Sequence, residues 1–578
     1  MKLRFTQHKL VYLLAGITLT TIAGCPWQPA EKTYDLTAKL IPFESSDAML
    51  GYFRQQARAR NANRSFDGLG GIFLGAVPTA AELQDDASVG GDQSDAAGEA
   101  GDYTTTNVQE AGVDESDVVK SDGQYFYVAR GDNLRIVKAN PADQMAQVAS
   151  LDLDVHVREM HLHGTKLILL AQRYTDVGEG WDMPQIAIWP PYFTSSLLTL
   201  VTIDVTDPEA PTVLKQVDFD GTLVESRLTN DRLILVLTVA PNLPDNPTIL
   251  SVNAMPIEEF LPRARIGGVE RDLVDWNDCL HPDTPDGYFM TVIMTVDAAD
   301  IESIVHSVAV VAGAGTIYVS PQALYLTDTS YASSGENRVT TDIHKFAFDD
   351  EGAARYVASG VVPGRLLNQF SLGEHNDILR VASHVDTPLL FRAFEDADVS
   401  VSTASAQLAE APADFNAVYL LKQNGADLEV LASLDNIAPG EDLYAARFMG
   451  ERGFLVTFER IDPLFTLDLA DPNAPAVMGE LKVPGYSEYL HPWGEDYLIG
   501  VGRSTSESEW GGTVVKAVQL SLFDVSDLAN PIEIDRLEVG GYGSWCEVSS
   551  THKAFAMLPD DGLLALPVQL TADETPIY

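Results

Sequence analysis

Leu200-Val-Thr-Ile-Asp-Val-Thr-Asp-Pro208, Leu464-Phe-Thr-Leu-Asp-Leu-Ala-Asp-Pro472 and Leu520-Ser-Leu-Phe-Asp-Val-Ser-Asp527 share one design. In each, aliphatic side chains alternate into one layer, as a half-buried strand requires, and the strand ends at an Asp and a turn. A second strand follows each: Val213–Phe219, Ala476–Val483 and Ile532–Val539. A pair of strands precedes each: Arg158–His163 with Lys166–Ala171, Asp442–Met449 with Gly453–Phe458, and Ser487–Pro492 with Asp496–Gly502.

Working outward, such four-stranded modules begin near Val118, Arg158, Val224, Thr316, Asn368, Asp442 and Ser487, and an unfinished eighth starts at Trp545. Modules of this kind with almost no helix hide their apolar faces only against their neighbours. The expected fold is therefore all-β: a β-propeller of four-stranded antiparallel blades over residues 103–578, eight blades in the first reading and seven in the alternative. An unfinished last blade predicts that a terminal strand is lent to it, and the candidate is 34–41.

The first 24 residues read as an export signal. Lys2, Arg4, His8 and Lys9 precede the apolar run Leu10–Ile22, too short to span a membrane, and Ala23 and Gly24 precede Cys25. Ile22-Ala23-Gly24-Cys25 resembles the bacterial lipobox, which implies lipidation at Cys25 and anchorage to a membrane from the exported side. Within 25–79, the helix pattern Ser46–Arg58 carries Met49, Leu50 and Phe53 as its apolar stripe, with Ser46 as N-cap. Residues 80–102 are built of acidic and small polar types and are expected to be a flexible linker.

The chain has 37 Lys+Arg against 84 Asp+Glu, a net charge of −47. That balance excludes a general nucleic-acid binder, since an acidic surface offers no counterion release. Three cysteines exclude a disulfide scaffold. With Cys25 acylated, only Cys279 and Cys546 could pair, in the oxidising compartment beyond the membrane.

Several longer runs resemble a family of secreted bacterial and archaeal proteins with a β-propeller domain distantly related to WD-40 repeats. They are Tyr103-Thr-Thr-Thr-Asn-Val-Gln-Glu-Ala-Gly-Val-Asp-Glu-Ser-Asp-Val-Val-Lys-Ser-Asp-Gly123, Val361–Phe370, Phe448-Met-Gly450, Val456–Phe465 and Tyr489-Leu-His-Pro492. The resemblance implies a propeller and export, and it implies no enzymatic activity.

The longest insertions fall between the second and third strands of their modules: Arg173–Ser196, Ala240–Gly287, Asp328–Thr341, His384–Phe415 and Arg503–Lys516. One face should therefore be decorated, and loops on one rim of a rigid scaffold are where binding is built. Trp181, Trp189, Tyr192, Trp276 and Trp510 are its candidate binding aromatics, and Arg263, Arg265 and Arg271 form a basic island.

Chemistry is harder to find. Metalloprotease, nucleophile-elbow, Walker and dinucleotide motifs are absent from the sequence. His161 and His163 sit two apart on one strand face and are weak metal candidates, so a divalent cation is the one cofactor entertained. Asp204, Asp468 and Asp524 read as turn caps. The expectation is a monomeric, lipid-anchored scaffold that binds an envelope protein or glycan. The alternative is an exported hydrolase or oxidoreductase with its site in a central channel.

Overall fold

The computed structural model describes residues 38–66, 103–174, 196–240, 256–283, 287, 289–331, 339–386, 414–458, 462–507, 513–559 and 562–571, with side chains of the first stretch described to residue 56. The chain divides into two units, Met1–Leu36 and Thr37–Tyr578, and the described residues belong to the second. Cys25 and the linker 80–102 lie outside the described residues.

The described chain is almost entirely antiparallel β-structure. Period-two alternation sends one set of side chains into the layer and leaves the other toward the surface: Thr212–Asp220 buries Val217 and Phe219 while Gln216 is exposed and Asp218 and Asp220 are half-buried. Two four-stranded sheets stand complete by themselves. One runs Asp442–Met449, Arg452–Phe458, Asp462–Asp468, Ala476–Val483; the next runs Tyr486–Trp493, Tyr497–Glu507, Thr513–Asp524, Ile532–Val539.

The same antiparallel run occurs inside larger sheets. Thr222–Thr229, Arg232–Val239, Met290–Asp297 and Asp300–Val310 form one, and Ile317–Val319, Ala323–Tyr331, Val339–Phe348 and Ala354–Pro363 another. The latter joins Leu372–His375, Ile378–Val385, Phe415–Asn424 and Asp427–Ile437 through one parallel pairing, Ser359 with Asp427.

The first two runs share a strand. Ala146–His163 pairs through its first half with Tyr125–Lys138, itself paired to Val119–Ser121, and through its second half with Lys166–Tyr174, which continues to Ser196–Asp204 and Thr212–Asp220. The first run thus has three strands rather than four. After Val539 come two short pairs, Trp545–Cys546 with Val568–Gln569 and Ala556–Leu558 with Leu563–Ala565.

The expected ring-closing strand 34–41 is corrected for its described end, residues 34–37 lying outside the described residues. Leu40–Pro42, the described end of that segment, pairs with Cys279–Pro282, which lies in parallel along Asp300–Val310. It therefore extends the outer side of the third run, where Leu40 is buried with Leu280 and Val308, and it does not meet the last strands. The helix runs Ser46–Phe66, and its cap is Ser45, whose Oγ accepts the Ala48 amide at 3.1 Å. Met49, Leu50 and Phe53 are buried as the stripe predicted, Phe53 stacking on Phe260 with centroids 5.2 Å apart.

The insertion carrying Phe260 also differs from its expected place. Arg263–Ile266 pairs with the outer strand of the second run, Ala264 opposite Phe219, while Cys279–Pro282 joins the third. Its described part straps the outer edges of two neighbouring runs rather than standing free on a rim. Edge strands covered in this way no longer offer unpaired backbone to another chain.

Candidate functional site

Residues 106–117 lie between the helix and Val119–Ser121, and they touch each of the seven runs described above and the segment of short strand pairs after Val539, called the eighth below. Thr106 Oγ1 accepts from Lys120 of the first run at 2.7 Å. Asn107 Nδ2 donates to the Tyr489 hydroxyl of the seventh at 2.9 Å and to the His552 carbonyl of the eighth at 2.8 Å. Gln109 donates to Leu372 O of the fifth at 2.9 Å and accepts at its carbonyl from Arg447 of the sixth at 3.3 Å. Glu110 accepts from the Tyr318 hydroxyl of the fourth at 2.7 Å, and Gly112 O from Thr229 of the third at 3.0 Å. Asp117 exchanges backbone hydrogen bonds with Met160 of the second at 2.8 and 3.0 Å.

Two consequences follow from that sequence of contacts. Each contact but the eighth is made from, or within two residues of, the first strand of its run, so these strands converge on one short stretch of chain. From Asn107 to Asp117 the partners descend from eighth and seventh to second, so the segment winds past the runs in the reverse of their chain order. We call it the inner belt. Asp114–Glu115 adds a strand to the third run, opposite Leu228 and Arg227.

The belt's last four residues carry most of the buried charge. Glu115 is 1% exposed; its carboxylate lies 3.0 Å from His552 Nε2 and 3.6 Å from Arg227, itself 3% exposed. Burial alone would raise the Glu115 carboxyl, but Arg227, His552 and Lys553 overcome it and hold it well below the usual range. Arg227 also pairs with Glu225 at 2.5 Å, and Lys553 reaches Glu159 at 3.4 Å. Burial works against the Lys553 ammonium, yet Glu159, Glu225, Glu115 and Asp117 push it up. Ser116 donates to Glu159 and accepts from Ser226 at 2.8 Å.

Asp117 is the exception. It is 2% exposed, its Oδ1 accepts from its neighbour's amide at 2.7 Å, and its Oδ2 is buried with no hydrogen-bond partner among the described residues. Burial, with Glu159 adding to it, outweighs Lys553 and Lys120 and lifts this carboxyl to about 7. A group titrating near neutrality is suited to proton transfer, but the rest of the network is closed on itself.

A second polar group surrounds Glu110. Glu374 accepts from the Tyr325 hydroxyl at 2.7 Å, from Ser320 at 2.5 Å and from Lys345 at 3.1 Å, and its amide donates to Tyr318 at 2.7 Å. Burial raises the Glu110 carboxyl despite its bond to Tyr318. The Arg447 guanidinium lies over Phe370 at 5.0 Å and that of Arg380 over Phe448 at 5.2 Å.

The residues singled out from sequence fare unevenly. His161 and His163 do not share a site: buried His161 bonds Asp114 at 2.8 Å and Ser226 at 3.0 Å, while His163 bonds Asp231 at 2.8 Å. Each has its own carboxylate, and the two rings are held by different partners. Cys279 and Cys546 are free thiols buried in separate cores, the first with Phe260 and Val274, the second with Phe555 and Val548, and do not form the disulfide left possible by the sequence.

Trp276 packs against the core under its own insertion, at the start of a short turn whose cap, Asp275, accepts the Asn277 amide. Trp181, Trp189, Tyr192 and Trp510 lie outside the described residues. The basic island is spent internally: Arg263 pairs with Asp272, Arg265 with Asp220 at 2.7 Å and Glu270 at 3.0 Å, and Arg271 reaches Glu302 O at 3.5 Å. Asp204, Asp468 and Asp524 are turn caps, each accepting the amide two residues on at 2.8 to 3.0 Å. No belt residue was a site candidate in the sequence reading, although the run Tyr103–Gly123 carried the longest family-like motif.

Three comparisons with known proteins place the chain among its relatives. An uncharacterized protein of Archaeoglobus fulgidus is 27% identical over 559 residues, covering 80% of this chain and 75% of its own. One of Methanocaldococcus jannaschii is 25% identical over 561 residues, covering 84% and 77%. Among solved structures, the N-terminal domain of Nup159 aligns at 9% identity over 72% of this chain and 88% of that one, with a TM-score of 0.26. The family model described as the beta propeller domain matches residues 103–577. The chain belongs to the beta propeller domain family.

Proposed function

We propose that this chain is an exported, lipid-anchored interaction scaffold: a disc of eight blades, closed by the inner belt, that binds an envelope protein or glycan through loops on one rim. The observation that carries the reading is where the chain is long. The three longest connections within runs, residues 175–195, 240–289 and 386–414, all fall between the second and third strands of their runs, strands that pair antiparallel with one another. Length inserted at one repeated position, on a scaffold whose centre is filled by its own belt, favours recognition at the rim.

Anchorage rests on the ordered arrival of Lys2–Lys9, Leu10–Ile22 and Cys25 in the sequence. The acidic stretch 80–102 would then hold the disc away from an anionic membrane. The test has two arms. Envelope proteins co-purifying with the full chain are compared with those of a variant in which Gly-Ser replaces 175–195; loss of a partner supports the scaffold, and identical partner sets refute it for that loop. Cys25→Ser is expected to abolish fatty-acid labelling and release the protein to the soluble fraction, and retained labelling overturns the anchor.

One observation favours the second reading, an exported hydrolase or oxidoreductase. Asp117 holds a carboxyl that titrates near 7 beside Glu159 and Lys553. That is the combination a general acid or base needs. Asp117→Asn would abolish any such turnover while leaving partner capture intact.

A further inference from the structure

At the base of one insertion the fold assembles a donor set that neither the belt nor the rim loops account for. Ile378–Val385 and Phe415–Asn424 pair with His384 opposite Asn416 and Val385 opposite Phe415. Asp386 and Asp414 are the next residue on each strand. One nitrogen of His384 and one oxygen from each of these carboxylates lie within 4.8 Å of one another. Asp442, at the start of the following run, brings an oxygen to 3.6 Å from His384 Nε2.

The state of the imidazole follows from its neighbour. Asn416 Nδ2 donates to Glu441 O at 3.0 Å and Ile437 O at 3.4 Å, which orients the amide so that its Oδ1 faces His384 Nδ1 at 3.0 Å. An amide oxygen only accepts, so Nδ1 carries a proton, and it is Nε2 whose lone pair the ring offers to a metal. The His384 side chain is 6% exposed, and Nε2 has no hydrogen-bond partner among the described residues; the nearest oxygens, of Asp442 and Asp386, stand at 3.6 and 3.7 Å. A ring nitrogen facing carboxylates on an almost wholly buried side chain, with the other ring nitrogen fixed by an oxygen acceptor, is the arrangement of a metal-ligating histidine.

We propose that His384, Asp386, Asp414 and Asp442 bind a divalent cation of the zinc class. One imidazole nitrogen with carboxylate oxygens suits zinc better than magnesium or calcium, which take oxygen alone. Tetrahedral ligands at metal distances of about 2.1 Å stand about 3.4 Å apart, so rotations of exposed Asp442 and half-buried Asp386 close the set. Arg365 is the competitor: it pairs with Asp386 and lies 3.8 Å from Asp442. Asp386 and Asp414 flank residues 387–413 in sequence, so the ion would tie the two ends of that insertion together.

The full chain, stripped with chelator, is dialysed against zinc alone and its content measured. One equivalent bound is expected, with at least tenfold weaker binding in Asp414→Asn and in His384→Ala and unchanged binding in His163→Ala. No bound zinc, or equal affinity in the Asp414→Asn and His384→Ala variants, overturns the site. Should those variants fail to fold, X-ray absorption of the zinc-loaded wild type decides: a shell of one imidazole nitrogen and oxygen neighbours supports the assignment, and a shell without imidazole refutes it.

Discussion

His552 Nε2 lies 3.0 Å from a Glu115 carboxylate oxygen, joining the last run to the belt that precedes the first. Tyr489 and His552 O receive Asn107 in the same region. Asn107→Ala deletes both of those hydrogen bonds from a buried side chain, a loss of about 2 kcal/mol. Amide exchange should accelerate across 545–569, which hold only two short strand pairs, and stay unchanged in the complete sheet 442–483. Uniform acceleration across both regions would show that the belt does not bear specifically on the end of the chain.

Asp117 makes stability fall with rising pH. Its folded carboxyl titrates at about 7, above the unfolded value near 3.8, so between these limits the folded state holds the extra proton. The penalty is absent below about pH 4 and complete above pH 7, on the order of 4 kcal/mol as an upper figure. Asp117→Asn should leave stability at pH 4 unchanged and raise it at pH 8, read from urea midpoints at both values. Equal midpoints at pH 8 would refute the assignment.

His491 acts in the opposite sense. Burial, with Arg447 and His552 adding to it, lowers the imidazole to about 3, and the ring stacks on Phe555 at 4.0 Å. Its contribution is whole above the unfolded value near 6.5 and is lost as pH falls toward 3. His491→Gln should lose about 3 kcal/mol less than the wild type between pH 6.5 and 4, measured by denaturant unfolding. Parallel losses would place the acid sensitivity elsewhere.

Burial pushes both thiols up, that of Cys279 aided by Asp278 and Asp275. Neither Cys279 nor Cys546 should react with a thiol reagent in the folded protein at pH 8, and both should react in denaturant. Reducing agent should leave the thermal midpoint unmoved. A midpoint drop of several degrees on reduction would restore the disulfide.

What the sequence made legible was local. The alternation in Leu200–Asp204, Leu464–Asp468 and Leu520–Asp524, and the Asp that ends each, depend on neighbours within a few residues, and all three turns carry the same amide-to-Asp bond. The insertion position was legible too, because it needs only a count of strands. Partner choice was not. Leu40 alternates as a strand should, but nothing in its neighbourhood says that Pro282 lies opposite. Asn107, Gln109 and Glu115 look like any polar stretch before a first strand; their partners lie as far away as His552. The warning sign was a long polar motif, free of Lys and Arg until Lys120, in a segment too specific to be linker.

The belt's reverse winding also bears on how the molecule is completed. Synthesis delivers residues 106–117 before any run exists, and the partners of Asn107 arrive last. Until Tyr489 and His552 emerge, the Asn107 side-chain amide lacks both of its partners, while Glu115 and Arg227 can already meet. A chain cut short before residue 552 would therefore fold around an inner segment whose leading end stays loose and open to proteases. Residues 106–117 thus register whether synthesis has passed residue 552.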